Sequence, residues 1–473
     1  MTARRATLLV AVALVLPRGL VSAAPTATDV YLDETRGRWE EVARKIWGFH
    51  ELALEERQSS ALLADLLEKE GFSVQRGVAG MPTAFVARAG KGEPVVALLA
   101  EYDALPELSQ AGGASKKRPV EPGAPGHGCG HNLLGTAAAA AGVAANRVRV
   151  TERLGGTIVV FGTPAEEKIL GKVFMARDDA FQGVDAVLAW HPSTQNLVVN
   201  RARLAISALD VEFFGRTAHA AVNPWLGRSA LDAVELFDHA LALMREHIRP
   251  TSRMHRVIKA GGSVPNIIAD YAKVQWWVRD TSGSGVDDLV GRVKLAADGA
   301  AMATETKAKV TLLAQTRDPV PNDALAAVVQ RELERVGSPR WDDPDQALAR
   351  AIQQELGAEP KGLATSVVPF GPGHGATASS DIGETSAVAP LVELEVAVAP
   401  VGAPFHHWAV TSCALHPIGF KGMGVASKVL AASAIDLLRD PAAVRAVKEE
   451  FAKATGGQAY RSPLAPEAKP IVY

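Results

Sequence analysis

Cysteine is nearly absent from this sequence, with two in 473 residues. Two thiols cannot build a disulfide framework, so the fold must rest on a hydrophobic core. Aromatic residues make up only 5% of the chain, and neither sign of charge is in excess: 50 Lys and Arg face 52 Asp and Glu, a formal net charge of −2. No long basic run occurs, so nucleic acid is not an expected partner, because neutralising phosphates requires clustered Lys and Arg. Internal repeats and low-complexity tracts are missing as well, which excludes solenoid architectures. Beyond the N-terminus no stretch reads as a membrane span. What remains is 48% apolar and 22% charged, the composition of a soluble globular protein. The length exceeds one ordinary core, so two domains are expected.

The first 23 residues differ from the rest. Arg4 and Arg5 precede an apolar run, 6–16, and Val21-Ser22-Ala23 stands directly before Ala24. A positive start, a short apolar stretch and a small-residue cleavage site predict a secretory signal, hence export to the periplasm or beyond and no membrane attachment after cleavage. An uncleaved anchor is the alternative. The arginine pair suggests twin-arginine export, although Thr7 stands where an apolar residue is usual.

Hydrophobic periodicity predicts helix over 31–71, strands at 83–87 and 94–100, a Gly/Pro/Lys-rich loop at 110–126, and an Ala-rich helix over 132–146. A strand at 156–162, a helix at about 169–181 and a strand at 185–190 follow. Continuous apolar strands alternating with helices predict a doubly wound α/β sheet, whose ligands collect at the carboxyl ends of the strands. From 205 the order becomes strand (205–214), helix (229–247), strands (256–260 and 272–278), helix (286–304) and strand (309–313). That is a small α+β, ferredoxin-like unit inserted over 205–316. Helices at 323–337, 345–356 and 419–438 return the chain to the first unit. The expected division is a signal at 1–23, the first domain in two parts at 24–204 and 317–445, the inserted domain between them, and a tail at 446–473.

The strongest chemical signal is Gly126-His127-Gly128-Cys129-Gly130-His131-Asn132. A thiolate and an imidazole two residues apart can share a metal, and flanking glycines let the backbone bend so that both converge. Alone, the loop also reads as a tight turn with an incidental thiol. The two cysteines could pair, but Cys129 stands between two histidines, while Cys413 lies in an apolar context typical of a buried core thiol. Glu166 and Glu167 follow the strand at 156–162; one carboxylate can bind metal while its neighbour acts as base, or both can simply favour a helix start. His191 ends the next strand, Asp103 follows an earlier one, and His406 and His407 lie in a late loop. Each is weak alone, as a structural histidine or a cap. Together they supply thiolate, imidazole and carboxylate at the ends of consecutive strands.

Several ordered stretches resemble one family. They are Leu99-Ala100-Glu101-Tyr102-Asp103-Ala104-Leu105-Pro106, the 126–134 loop, Gly162-Thr163-Pro164-Ala165-Glu166-Glu167 and Ala189-Trp190-His191-Pro192. Gly215-Arg216-Thr217-Ala218-His219-Ala220-Ala221, the 262–268 segment, Ser380-Asp381-Ile382-Gly383 and Pro404-Phe405-His406-His407-Trp408 continue the match. Over about residues 35–440 the chain resembles the zinc-dependent metallopeptidases that include aminoacylases, glutamate carboxypeptidases and plant auxin-conjugate amidohydrolases. It is most similar to the branch of the p-aminobenzoyl-glutamate hydrolase B subunit.

The resemblance implies two divalent ions, zinc first and manganese as the alternative, held by Cys129 as bridge and by His131, Glu167, His191 and His406. It implies Glu166 as general base and Asp103 as the carboxylate behind a ligand imidazole. His219 would reach across a dimer to the scissile carbonyl, and Asn266 and Arg279 would bind substrate; all three also have plain structural readings. The first domain would be catalytic and the inserted one a lid or dimerisation domain. The implied partners are a small N-acyl amino acid or dipeptide and a second copy or sister subunit. The implied activity is cleavage of N-acyl or N-aroyl amino acids, such as p-aminobenzoyl-glutamate-like conjugates. A dipeptidase or carboxypeptidase is the alternative, and a non-catalytic metal- or ligand-binding protein, or an exported thiol protein using Cys129, are readings of another class. Three features depart from the family pattern: Asn132 where many relatives outside the branch have Asp, Trp225 at a commonly polar position, and the N-terminal signal.

Overall fold

The computed structural model describes residues 24–199, 203–371 and 378–471. The expected signal over 1–23 lies outside the described residues. Eleven strands are present among them: β1 Ser73–Arg76, β2 Phe85–Lys91, β3 Val95–Ala100, β4 Gly156–Gly162, β5 Ala186–Ser193, β6 Leu197–Val198, β7 Ala205–Phe214, β8 Arg253–Ala260, β9 Tyr271–Asp280, β10 Lys307–Thr316 and β11 Leu391–Ala397. Seven form a mixed sheet in the order β1-β2-β4-β3-β5-β11-β6. Its centre, β4-β3-β5-β11, is parallel, and its outer strands are antiparallel.

Alternation explains why the central strands read as unbroken apolar runs. In β3, Val96, Leu98 and Ala100 join a core with the Ala-rich helix His131–Thr151 and the helix Pro417–Arg439. Ala97 and Leu99 join a second core on the other face, with the helix Gly171–Arg177. Both faces are therefore dry, as a parallel sheet requires. The helix Pro417–Arg439 is long and apolar enough to cross a membrane, yet 78% of its most apolar window is buried within this fold; it is a core helix here.

β7 to β10 form a separate antiparallel sheet in the order β10-β7-β9-β8. The helices Ala230–Met244 and Gly283–Ala303 cover one face of it around Phe213, Phe237 and Trp276. The connection strand-helix-strand-strand-helix-strand with this order is the ferredoxin-like arrangement. Ile206 and Ala208 of β7 and Leu313 and Ala314 of β10 enter the second core of the large sheet, so the two sheets share apolar packing.

Three departures from expectation occur, the first two with clear causes. Residues 31–71 form not one helix but part of three: Ala27–Glu34, Arg36–Phe49 and Arg57–Lys69. The second ends at His50, in the left-handed region at φ 36°. Glu51 then accepts the backbone N–H groups of Gln58 and Ser59, each at 2.9 Å, and so satisfies free donors at the next helix start. β11, at the heart of the sheet, is not recognisable from sequence because Glu393 and Glu395 interrupt its apolar run. Both are buried; Arg203 pairs with Glu393, and Ser193 donates to Glu395 at 2.7 Å. The segment expected as a tail from 446 begins inside the helix Pro441–Thr455.

Candidate metal centre

The carboxyl ends of β3, β4 and β5 converge. Asp103 follows β3 and is buried; its Oδ1 lies 2.9 Å from His131 Nδ1, and its Oδ2 accepts the backbone N–H of Glu167 at 2.9 Å. One carboxylate thus aims the His131 ring and pins the acid pair, leaving Nε2 of His131 facing inward. His131 opens its long helix directly after Gly130, which has φ 76°. A side chain at Gly130 would also press on Pro192, 3.1 Å away. The backbone O of Gly128 accepts the N–H of His406 at 3.0 Å, which ties this loop to the late one. Trp190 donates its indole N–H to Leu134 O at 3.0 Å and locks β5 against the helix just before His191.

The side chains expected as ligands meet here. Cys129, His131 and His191 offer donor atoms within 4.8 Å of one another, and so do Cys129, Glu167 and His406. Cys129 belongs to both sets. Its Sγ lies 3.4 Å from His191 Nε2, and His406 Nε2 lies 3.3 Å from Glu167 Oε2. His131 Nε2 and Glu167 Oε1 are buried with no hydrogen-bond partner. Orphaned buried polar atoms are costly and call for an occupant.

The electrostatics suit a cation. Burial pushes the Cys129 thiol well above its usual range, and the charges of Glu167 and Glu166 push it further. Burial and the neighbouring His131 lower His191 to about 4, so its ring is neutral and its free nitrogen can ligate. Glu166 is buried beside Glu167 in a short turn, Glu166–Lys168, flanked by Ala165 and Ile169 at φ 57° and 55°. Two non-glycine residues in the left-handed region store strain of about 1–3 kcal/mol each. Glu56 holds this turn by accepting the Ala165 N–H at 2.8 Å.

Glu56 has a measurable signature. Burial and the charge of Asp103 raise it from 4.5 to about 8. A raised folded pKa means that the native state binds the proton more tightly. The stabilisation is complete below about pH 4.5 and is lost as pH rises through 8. Glu56→Gln, which mimics the protonated form, is expected to flatten the fall of denaturation midpoint between pH 5 and 8. An unchanged pH profile would remove Glu56 as its source.

Not every expected site residue joins the cluster. His219 and Asn266 are exposed on the small sheet's unit. His219 pairs through its backbone with Ile267, its Nδ1 accepts the Ala221 N–H at 3.2 Å, and Asn266 O accepts the Ala220 N–H at 3.0 Å. Among the described residues no hydrogen bond or ion pair joins either to the cluster. Trp225 is 70% exposed on the same unit. Arg279, near the end of β9, donates to Ser379 at 3.2 Å and lies over the Trp277 ring. Asn132, the departure noted in the loop, donates to Ala43 O and Ala414 O and so ties helices together rather than supporting a ligand.

Three residues of the site are not singled out by sequence reasoning. Lys172 is fully buried; its Nζ lies 2.7 Å from Glu101 Oε1 and 2.5 Å from Asp381 Oδ1. A lone lysine in the apolar helix Gly171-Lys172-Val173-Phe174-Met175-Ala176 was the available signal, since buried lysines require partners. Glu101 and Asp381 lie within the matching stretches, but no residue type marks them out there.

Comparison with known proteins gives the family and the fold. The family model "Peptidase family M20/M25/M40" matches residues 97–394. The B subunit of the p-aminobenzoyl-glutamate hydrolase of Escherichia coli (strain K12) is 35% identical over 469 residues, covering 93% of this chain and 98% of that protein. An Xaa-Arg dipeptidase of Mus musculus is 32% identical over 319 residues, covering 65% and 70%. The crystal structure of an aminobenzoyl-glutamate utilization protein from Klebsiella pneumoniae shares the fold, with a TM-score of 0.60 at 18% identity over 86% of this chain and 98% of that one. The chain with the shared Cys129 vertex therefore belongs to peptidase family M20/M25/M40 and is an amide-bond hydrolase.

Proposed function

We propose that the protein is an exported, dinuclear-metal amidohydrolase that releases amino acids from N-acyl or N-aroyl conjugates, in the manner of a p-aminobenzoyl-glutamate hydrolase. The observation that carries this reading is the double membership of Cys129. One thiolate shared by His131 and His191 on one side and by Glu167 and His406 on the other is the donor pattern of two adjacent ions. The spacings fit. On a tetrahedral ion, metal–ligand lengths put a sulfur and a nitrogen about 3.5 Å apart and a nitrogen and an oxygen about 3.4 Å apart; the Cys129–His191 and Glu167–His406 distances are 3.4 and 3.3 Å. Mixed sulfur, nitrogen and oxygen donors favour zinc, with manganese the alternative.

Such ions, when bound, lower the pKa of a water and polarise the amide carbonyl. Glu166 would take a proton from the attacking water and would deliver it to the leaving amine. Asp103 fixes the His131 ring so that Nε2 stays available. Asn266 and Arg279 bind the substrate's carboxylate and carbonyl oxygen. His219, exposed and bound only locally, donates to the developing oxyanion in the site of a second copy or a sister subunit. The dipeptidase reading has the support of the 32% identical Xaa-Arg dipeptidase.

A metal-reconstituted screen of N-acyl amino acids, N-aroyl amino acids and dipeptides tests the proposal. Cleavage is expected only where the amino-acid carboxylate is free, and N-aroyl glutamates are expected to lead. Preferential turnover of dipeptides would move the assignment to the second reading. No cleavage by fully metal-loaded protein would sink both.

A further inference from the structure

Beneath the cluster lies a buried chain of charges that the proposed chemistry does not use: Asp381, Lys172 and Glu101. Lys172 touches both carboxylates, and its backbone N–H also donates to Asp381 Oδ2 at 2.9 Å. The ion pair occupies Oε1 of Glu101 alone. Oε2 of Glu101 is buried without a hydrogen-bond partner, and it stands at ion-pair distance, 3.4 Å, from His131 Nε2, which also makes no hydrogen bond. That separation is too long for a charge-assisted hydrogen bond, which spans about 2.7–2.9 Å. It equals the spacing of about 3.4 Å expected for nitrogen and oxygen donors on one tetrahedral ion. Glu101, His131 and Glu166 also offer donors within 4.8 Å of one another.

We propose that Glu101 is a further carboxylate of the metal centre, directed at the ion that His131 holds, and that Lys172 is the positioning residue that keeps it there. Lys172 anchors one oxygen so that the other points to His131, and Asp381 anchors Lys172. A buried carboxylate with one oxygen outside any hydrogen bond is unfavourable without a cation close by. The pairing with Lys172 fixes the orientation of that carboxylate within the fold.

This inference rests on the proposed metal centre, so the experiment separates the two. Zinc stoichiometry by elemental analysis, zinc affinity by chelator competition, and the rise in melting temperature on adding zinc are measured for the parent, Glu101→Gln, Glu101→Asp and Cys129→Ser. Glu101→Asp keeps the charge for Lys172 but withdraws the second oxygen, so it guards against a folding defect in the Gln variant. Both Glu101 variants are expected to weaken one ion about 10–100-fold and to shrink the zinc-induced stabilisation. If Cys129→Ser loses zinc while both Glu101 variants bind it like the parent, the three charges are only structural and the inference falls. If Cys129→Ser also binds zinc like the parent, the metal centre itself is wrong and the inference falls with it.

Discussion

Replacing Glu166 by Gln is expected to abolish turnover while leaving bound metal unchanged. The side chain stays the same size, so the strained turn between Ala165 and Ile169 keeps its packing, and Glu167 keeps its bond from backbone N–H to Asp103. What disappears is an anionic oxygen able to take a proton from water. General-base catalysis contributes about 10²–10⁴-fold, and the same carboxylate is proposed to return the proton to the amine, so a fall in kcat at or beyond the top of that range is expected. KM should change little, because Glu166 is not proposed to grip the ground-state substrate. Elemental analysis beside steady-state kinetics checks both halves. Near-normal kcat would remove Glu166 from the base role; lost metal with lost activity would make it a ligand instead.

Cys129→Ser is expected to lower metal loading from two ions per chain to fewer than one. A serine hydroxyl is a far weaker donor than a thiolate, and both donor sets pass through this atom. Loss of a residue belonging to one set only, such as His406, should spare the other ion. Comparing zinc content in Cys129→Ser and His406→Ala therefore tests the sharing itself. Equal, single-ion losses in both would show that Cys129 serves one ion rather than two. The variant should not fail for lack of a fold, since the thiol is small and no disulfide is broken.

The fold was legible where a strand or helix declares itself by one period. β3, β4 and β5 are nearly unbroken apolar runs bounded by glycine, proline or charge, and each has chemistry just past its carboxyl end. β11 was not legible. A strand with Glu393 and Glu395 reads as polar until Arg203, far away in sequence, neutralises it. The N-terminal helices erred in the same way: Glu51 caps a helix from a distance, and periodicity cannot see such a bond.

The sequence by itself determined the donor types, their order and the family. The Cys129–His131 spacing, the adjacent acids, and the histidines at 191 and 406 are local facts, so they can be read from the order of residues. Only the tertiary structure decided how these donors are grouped. That Cys129 is common to both sets depends on where separate strand ends meet. That His219 and Asn266 are exposed, with no hydrogen bond or ion pair to the cluster among the described residues, depends on tertiary packing. Lys172 owes its importance entirely to burial between Glu101 and Asp381. The physical reason is common to all three. Coordination and charge pairing act through space over a few ångströms, and residues at that distance here are up to some 280 positions apart in sequence.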